Sequence, residues 1–185
     1  QPGDVKYKDL NEDGKIDNYD HCYQQNTTLP EIYYGFSLGL NYKNWGLKAN
    51  FQGVAHYSAW NTLASVYRPL YGNDKSISRY YLENRWTETT PNARYPRLTT
   101  LSNNHNYQNS NLWMEKGDYL KLRVLELSYR LPTKLTEKMR MSDCRLFLKG
   151  MNLFSIDHID IMDPEQINAE YPSSRSYLIG INVLF

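Results

Sequence analysis

Strong charge of either sign is missing from this sequence: 21 Lys and Arg stand against 20 Asp and Glu, for a net charge of +1. Nothing in that balance favours nucleic acid or another strongly charged partner. Long apolar runs are missing too, since no stretch approaches the roughly 20 residues of a membrane-spanning helix. Cysteine is scarce. Cys22 and Cys144 lie far apart and outside any metal-ligand spacing, so they read as two free thiols. His21, His56, His105 and His158 share no spacing, and no nucleophile or phosphate-cradling motif is present. The acidic pairs Asp157/Asp160 and Asp163/Glu165 read as ordinary loop carboxylates. An enzyme is therefore poorly supported.

Tyrosine, by contrast, is abundant: 17 residues, with 4 Trp and 5 Phe, against a mean hydropathy of -0.70. A polar average with many Tyr and Trp suits a barrel with aromatic girdles and long wet loops. The last ten residues, Ser176 to Phe185, show the underlying pattern. Tyr177, Ile179, Ile181, Val183 and Phe185 alternate with Leu178, Gly180, Asn182 and Leu184. Period two predicts a strand with one large apolar face and one small or polar face.

The same alternation recurs upstream. Tyr33 to Tyr42 places Phe36, Leu38, Leu40 and Tyr42 opposite Gly35, Ser37, Gly39 and Asn41, and Lys43-Asn44 then predicts a hairpin turn. From Leu47 to Tyr57, Leu47, Ala49, Phe51 and Gly53 oppose Lys48, Asn50, Gln52 and Val54. Asp118 to Leu131 slips phase between Val124 and Leu125, which predicts a one-residue bulge near Arg123–Leu125. Pro132 ends that strand, 133–141 reads as a brief helical or turn segment, and Arg145 to Phe154 is a further strand. Across these five strands the apolar faces carry no charge, while Lys48, Glu126, Arg130, Arg145 and Lys149 fall on the other face. Long connections at 1–32, 58–111 and 155–174 alternate with short or modest ones at 43–45 and 132–144, as an up-and-down barrel demands. Residues 58–111 read as polar and irregular, with one or two helical turns at Arg79–Trp86.

The sharpest local motif is Asp9 to Asp20, which matches D-x-[DN]-x-[DN]-G. Asp9, Asn11, Asp13, the Lys15 carbonyl, Asp17 and Asp20 would supply oxygens to a structural calcium ion, with Gly14 at the sharp turn. Asp20 departs from the pattern, because its side chain is shorter than the usual Glu. Pro2, Gly3 and Asn26–Pro30 break the helices that normally flank such a loop. A turn-rich loop without metal is the competing reading.

Several runs carry a specific resemblance. G-D-V-K-Y-K-D-L-N-E-D-G-K-I-D at 3–17, P-E-I-Y-Y-G-F at 30–36, R-W-T at 85–87 and N-A-R-Y-P-R at 92–97 resemble the C-terminal region of SusC/RagA-type TonB-dependent outer-membrane transporters. G-D-Y-L-K-L-R at 117–123, L-S-Y-R-L-P at 127–132, G-M-N-L-F at 150–154, D-P-E at 163–165 and the terminal strand continue it. The resemblance covers essentially all of 1–185. It implies an all-β fold of antiparallel up-and-down strands, the closing part of a transmembrane β-barrel of about 22 strands with a plugged lumen. The chain would then be a segment of a longer protein, lacking the plug, the TonB-contacting segment and a leader, for it opens Gln1-Pro2-Gly3-Asp4. The implied function is import of oligosaccharide or peptide across the Gram-negative outer membrane. Its partners would be a SusD-like surface lipoprotein, the TonB complex and outer-membrane lipid. From a different class, a soluble calcium-stabilised β-sandwich that binds glycans would produce a similar charge pattern.

Overall fold

Alternating sequence becomes strand throughout the five expected places. In the computed structural model, which describes residues 1–23, 26–70, 75–100, 104–167, 169 and 171–185, these are β1 (Ile32–Tyr42), β2 (Trp45–Ala55), β5 (Tyr119–Arg130), β6 (Asp143–Met151) and β8 (Ser176–Leu184). Three short strands join them: β3 (Ser58–Trp60), β4 (Met114–Lys116) and β7 (Ser155–Asp157). The helices are α1 (Arg79–Asn84) and α2 (Thr133–Lys138). Parts of the expected long connections, at 24–25, 71–74, 101–103, 168 and 170, lie outside the described residues. Among the described residues no helix is long and apolar enough to cross a membrane.

The main sheet runs β1-β2-β5-β6-β8, with β7 beside β5, and every pairing is antiparallel. It is open: among the described residues β1 pairs only with β2, and β8 only with β6. Lys43, at φ +52, and Asn44 form the two-residue turn between the paired Tyr42 and Trp45. The expected bulge is present. Asn50 pairs with Val124 and Phe51 with Leu122, which leaves Arg123 as the extra residue. Pro132 has no N–H to donate and closes β5. Its carbonyl then accepts from Leu135 and opens α2.

The fourth expected strand, 145–154, is corrected at both ends. It begins at Asp143 and stops at Met151, because Asn152 takes φ +53 and turns its N–H to the Arg123 carbonyl, 3.0 Å away. The chain resumes as β7, against Tyr119–Lys121 of β5.

The segment 58–111 departs furthest from expectation. Among the described residues its Tyr81 and Tyr95 are, with the adjoining Trp113, the largest fully buried side chains. Ser78 caps α1 by accepting from the Tyr81 N–H at 3.0 Å, and Tyr81 stacks on Tyr95 with centroids 5.0 Å apart. Tyr95 stacks on Trp113 at 5.8 Å, and Tyr107 on Trp113 at 5.4 Å. Val66 completes this cluster. Two of the buried ring polar groups find partners: Trp113 Nε1 donates to the Asn106 carbonyl at 3.1 Å and the Tyr81 hydroxyl to the Pro96 carbonyl at 3.1 Å. Below the cluster β3 pairs with β4, extending the β2–β5 pair after a break at which the Gly117 N–H donates to the Tyr57 carbonyl. A Cβ at Gly117 would lie 2.1 Å from the Tyr57 ring, so only glycine fits this crossing.

Three long connections meet at this end of the sheet. Arg97 Nε donates to Asp4 at 2.8 Å, Asn106 Nδ2 to Asp4 at 2.9 Å, and the Tyr80 hydroxyl to Asp160 at 2.9 Å. The β1–β2 turn and the α2 connection sit together at the opposite end, where the Arg130 N–H donates to the Asn44 carbonyl.

Candidate functional site

Cross-strand partners share a face, so the register assigns every strand residue to one side of the sheet. One side carries Phe36, Leu38, Leu40 and Tyr42 of β1, then Trp45, Leu47, Ala49 and Phe51 of β2. Leu122, Leu125, Leu127 and Tyr129 continue it on β5, Leu146 and Leu148 on β6, and Ile179, Ile181 and Val183 on β8. No Lys, Arg, Asp or Glu falls on this side. Most of it is uncovered among the described residues, Leu40 being 66% exposed and Ile179 88%, while Leu122 and the small Ala49 are buried. Aromatic residues mark its short-turn end, where Trp45 and Tyr129 lie 4.7 Å apart.

The opposite side is polar. Lys48, Glu126 and Lys149 stand in one row across β2, β5 and β6, with Arg130 opposite Arg145 in the row nearer the short turns. Arg145 pairs with Glu126, and Arg130 with Asp143 at 3.3 Å. On β1 this side is shallow, formed by Gly35, Ser37, Gly39 and Asn41.

Above that wall the bulge alters what β5 presents. With Arg123 looped out of the ladder, Tyr119, Lys121 and Arg123 all reach the 155–174 connection. Lys121 Nζ donates to Asp163 at 2.8 and 2.9 Å and to Glu165 at 2.9 Å. Arg123 holds Glu165 through both terminal nitrogens and Gln52 through Nε at 3.0 Å. The Tyr119 hydroxyl donates to Glu165 at 3.0 Å. Burial would raise the Asp163 carboxyl, but bonds from Lys121 Nζ and the Glu165 and Ser173 N–H groups bring it down to about 2. Glu165 is lowered as well, with burial opposing and Lys121 the largest favourable partner. Asp163 and Glu165 are thus buried ion-pair partners and not ordinary loop carboxylates. The signal that would have found them is two closely spaced cations, Lys121 and Arg123, in the first half of β5 with no acidic residue beside them on that strand half.

In the Asp9–Asp20 loop the side-chain oxygens turn onto the loop's own backbone. Asp9 accepts from the Glu12 and Gly14 N–H groups at 2.7 and 2.8 Å, and Asp20 from Leu10 and Asp17 at 2.7 and 2.8 Å. Asn11 accepts from Asp13, and Asp13 from Lys15. Gly14 takes φ +81 at the sharp turn. Among the described residues no group of three or more His, Cys, Asp or Glu side chains is placed to hold a metal ion. Cys22 and Cys144 are free thiols.

No family model matches the chain. Over 199 residues it is 27% identical to the TonB-dependent receptor P26 of Formosa agariphila, covering 99% of this chain and 20% of that protein. With the TonB-dependent receptor P3 of the same organism it shares 25% identity over 201 residues, 100% of this chain and 19% of that one. The RagAB peptide importer in its open-open state superposes with a TM-score of 0.69 at 25% identity, over 92% of this chain. The chain is homologous to part of the TonB-dependent receptors. The closed-closed state of the RagAB importer superposes at a TM-score of 0.65. The chain spans about a fifth of the length of these relatives. TonB-dependent receptors are transporters of the Gram-negative outer membrane, not enzymes, and that membrane is where the homology places the segment.

Proposed function

We propose that the segment forms the closing strands of a transmembrane barrel of about 22 strands with a plugged lumen. The complete receptor would import nutrient oligosaccharides or peptides, driven by the TonB complex and capped by a SusD-like lipoprotein. The observation that carries this reading is the uncharged and largely uncovered face shared by five strands. Lipid is the solvent such a face requires, because a Lys or Arg there costs about 2–4 kcal/mol at the midplane. From Tyr34 to Tyr42 the face runs eight residue steps, about 27 Å along the strand at ~3.4 Å per step. Tilted by about 40°, that stretch rises about 20 Å, close to the height of an outer-membrane apolar band. The polar face, with its rows of Lys, Arg, Glu and Asn, would line the lumen. The soluble sandwich lacks support, since among the described residues no second sheet packs on the apolar face.

In this reading 1–32, 58–111 and 155–174 are extracellular, and 43–45 and 132–144 periplasmic. Biotin targeted to an Asn104→Cys reporter in the full-length receptor, with Cys22→Ser to remove the exposed native thiol, tests it. Labelling is expected on intact cells; labelling only after outer-membrane lysis refutes the orientation. For transport, deletion of the receptor gene should abolish growth on one class of oligosaccharide or peptide as sole nutrient.

The Asp9–Asp20 loop is proposed to take a calcium ion through Asp9, Asn11, Asp13, the Lys15 carbonyl, Asp17 and Asp20. Support comes from the all-oxygen donor set, which suits a hard cation, and from the glycine turn that lets the loop close. The ion would pin a loop that has few other anchors. Calorimetry with millimolar calcium that gives no heat removes this proposal.

A further inference from the structure

Besides the Tyr80–Asp160 bond, the 155–174 connection is held by side chains at two further points along its course. Asp163 and Glu165 enter the network with Lys121, Arg123 and Tyr119. Asp163 also accepts from the Ser173 N–H at 3.0 Å, and Asn152 Nδ2 donates to the Ser174 carbonyl at 3.3 Å. The outgoing and returning arms are therefore tied to each other and to one strand. Burial makes the tie exclusive: the Lys121 side chain is 5% exposed and that of Asp163 7%. Removing Lys121 takes the cation from Asp163 and Glu165 together, and removing Asp163 leaves Lys121 with Glu165 alone. Breaking a buried tie is far more damaging than losing an exposed pair.

We propose that Asp163 and Glu165 are positioning residues. With Lys121 and Arg123 they form an ionic latch that makes this loop a fixed part of the entrance on the lumen-facing side of β5. The Arg123 bulge is what makes the latch possible. In an unbulged strand, residues 121, 123 and 125 share one side; Leu125 would then join the polar side or Arg123 the apolar one. The extra residue lets Lys121 and Arg123 reach the loop while Leu122 and Leu125 keep the apolar face. Beside the latch lies a cavity of about 410 Å³ lined by Asn152, Asp157, Asp160 and Arg175 as well as Lys121 and Asp163. The latch thus sets the shape of that cavity as well as the place of the loop.

This inference rests on the barrel reading for its location but not for its test. Arg175 is exposed at the foot of the returning arm, so tryptic cleavage after it reports release of the loop. The experiment uses the full-length receptor in outer membranes, with trypsin added to intact and to lysed cells and the cut located by mass spectrometry. A heat-shifted band on gels verifies that each variant has assembled. Glu165→Gln and Asp163→Asn should speed cleavage at Arg175 at least tenfold, and Lys121→Met likewise. Lys121→Arg, which keeps the charge, should stay within twofold of wild type. Should Glu165→Gln fail to assemble, Asp163→Asn carries the same comparison through the Ser173 arm. Cleavage within twofold of wild type in assembled Glu165→Gln or Asp163→Asn overturns the latch. Cleavage seen only in lysed cells overturns the orientation and leaves the latch standing.

Discussion

Phe147 and Gly180 face each other across the β6–β8 ladder, and the phenyl ring lies over the glycine. A Cβ at position 180 would sit 2.3 Å from the ring. Gly180→Leu must therefore displace Phe147 or the strand, a cost of about 1–3 kcal/mol for overpacking. Gly39, with nothing within 4 Å of its Cβ position, is the control. We expect the full-length receptor carrying Gly180→Leu to show less of the heat-shifted, assembled band, and Gly39→Ala to match wild type.

The two faces of β8 should respond oppositely to charge. Ile181 is on the uncharged face, opposite Leu146, and Asn182 on the polar face, opposite Arg145. Ile181→Arg should reduce assembled receptor in the outer membrane, by analogy with the cost of about 2–4 kcal/mol for a midplane cation. Asn182→Asp, beside Arg145, should assemble as wild type. Equal effects of the two would contradict the assignment of faces.

Trp113 stacks with both Tyr95 and Tyr107 and is 1% exposed. Trp113→Ala should destabilise the 58–111 cap by about 3–5 kcal/mol, as for other buried large-to-small changes. The expected result is rapid external proteolysis within that segment while the heat-shifted band persists. Loss of that band together with the cap would mean that sheet and cap are one cooperative unit.

Acid should loosen the 155–174 connection late. Asp163 titrates near 2, against an ordinary value of 3.8. A lowered folded-state value stabilises fully above the ordinary pKa and is lost as pH falls through the folded one. Pepsin digestion of the loop, expressed as the ratio of Asp163→Asn to wild type, should be large at pH 4 and approach unity near pH 2. A ratio constant across that range would exclude Asp163 as the titrating group.

The sheet was legible because its two faces meet different surroundings, and alternation at period two records that difference. Even the bulge announced itself, as the slip between Leu122 and Leu125. Three-residue strands such as β3, β4 and β7 are too short to show a period. The cap was opaque for another reason: Tyr81, Tyr95, Tyr107 and Trp113 follow no regular spacing and sit among Asn, Thr and Arg. Their burial comes from tertiary folding of an irregular segment. The Lys121–Asp163 tie joins residues far apart in the chain, and only the presence of cations within β5 hinted at it. The Asp9–Asp20 turn was legible, since Asn and Asp side chains that bond nearby N–H groups are a local property.

The short β3–β4 pair has a consequence for the order of assembly. β2 and β5 are neighbours in the sheet, yet the whole stretch from His56 to Asp118 separates them, and closing so long a loop costs chain entropy before any pairing compensates. The cap spans that stretch, and β3 and β4 bring its two ends side by side at Trp60 and Met114. Once the cap has folded, β2 and β5 emerge already adjacent and in register. A pairing remote in sequence then behaves kinetically as a local one, of the kind that forms quickly. Val66→Ala inside the cap should therefore slow appearance of the heat-shifted receptor, whereas Leu82→Ala, 43% exposed, should not; equal rates would detach the cap from the nucleation of the sheet.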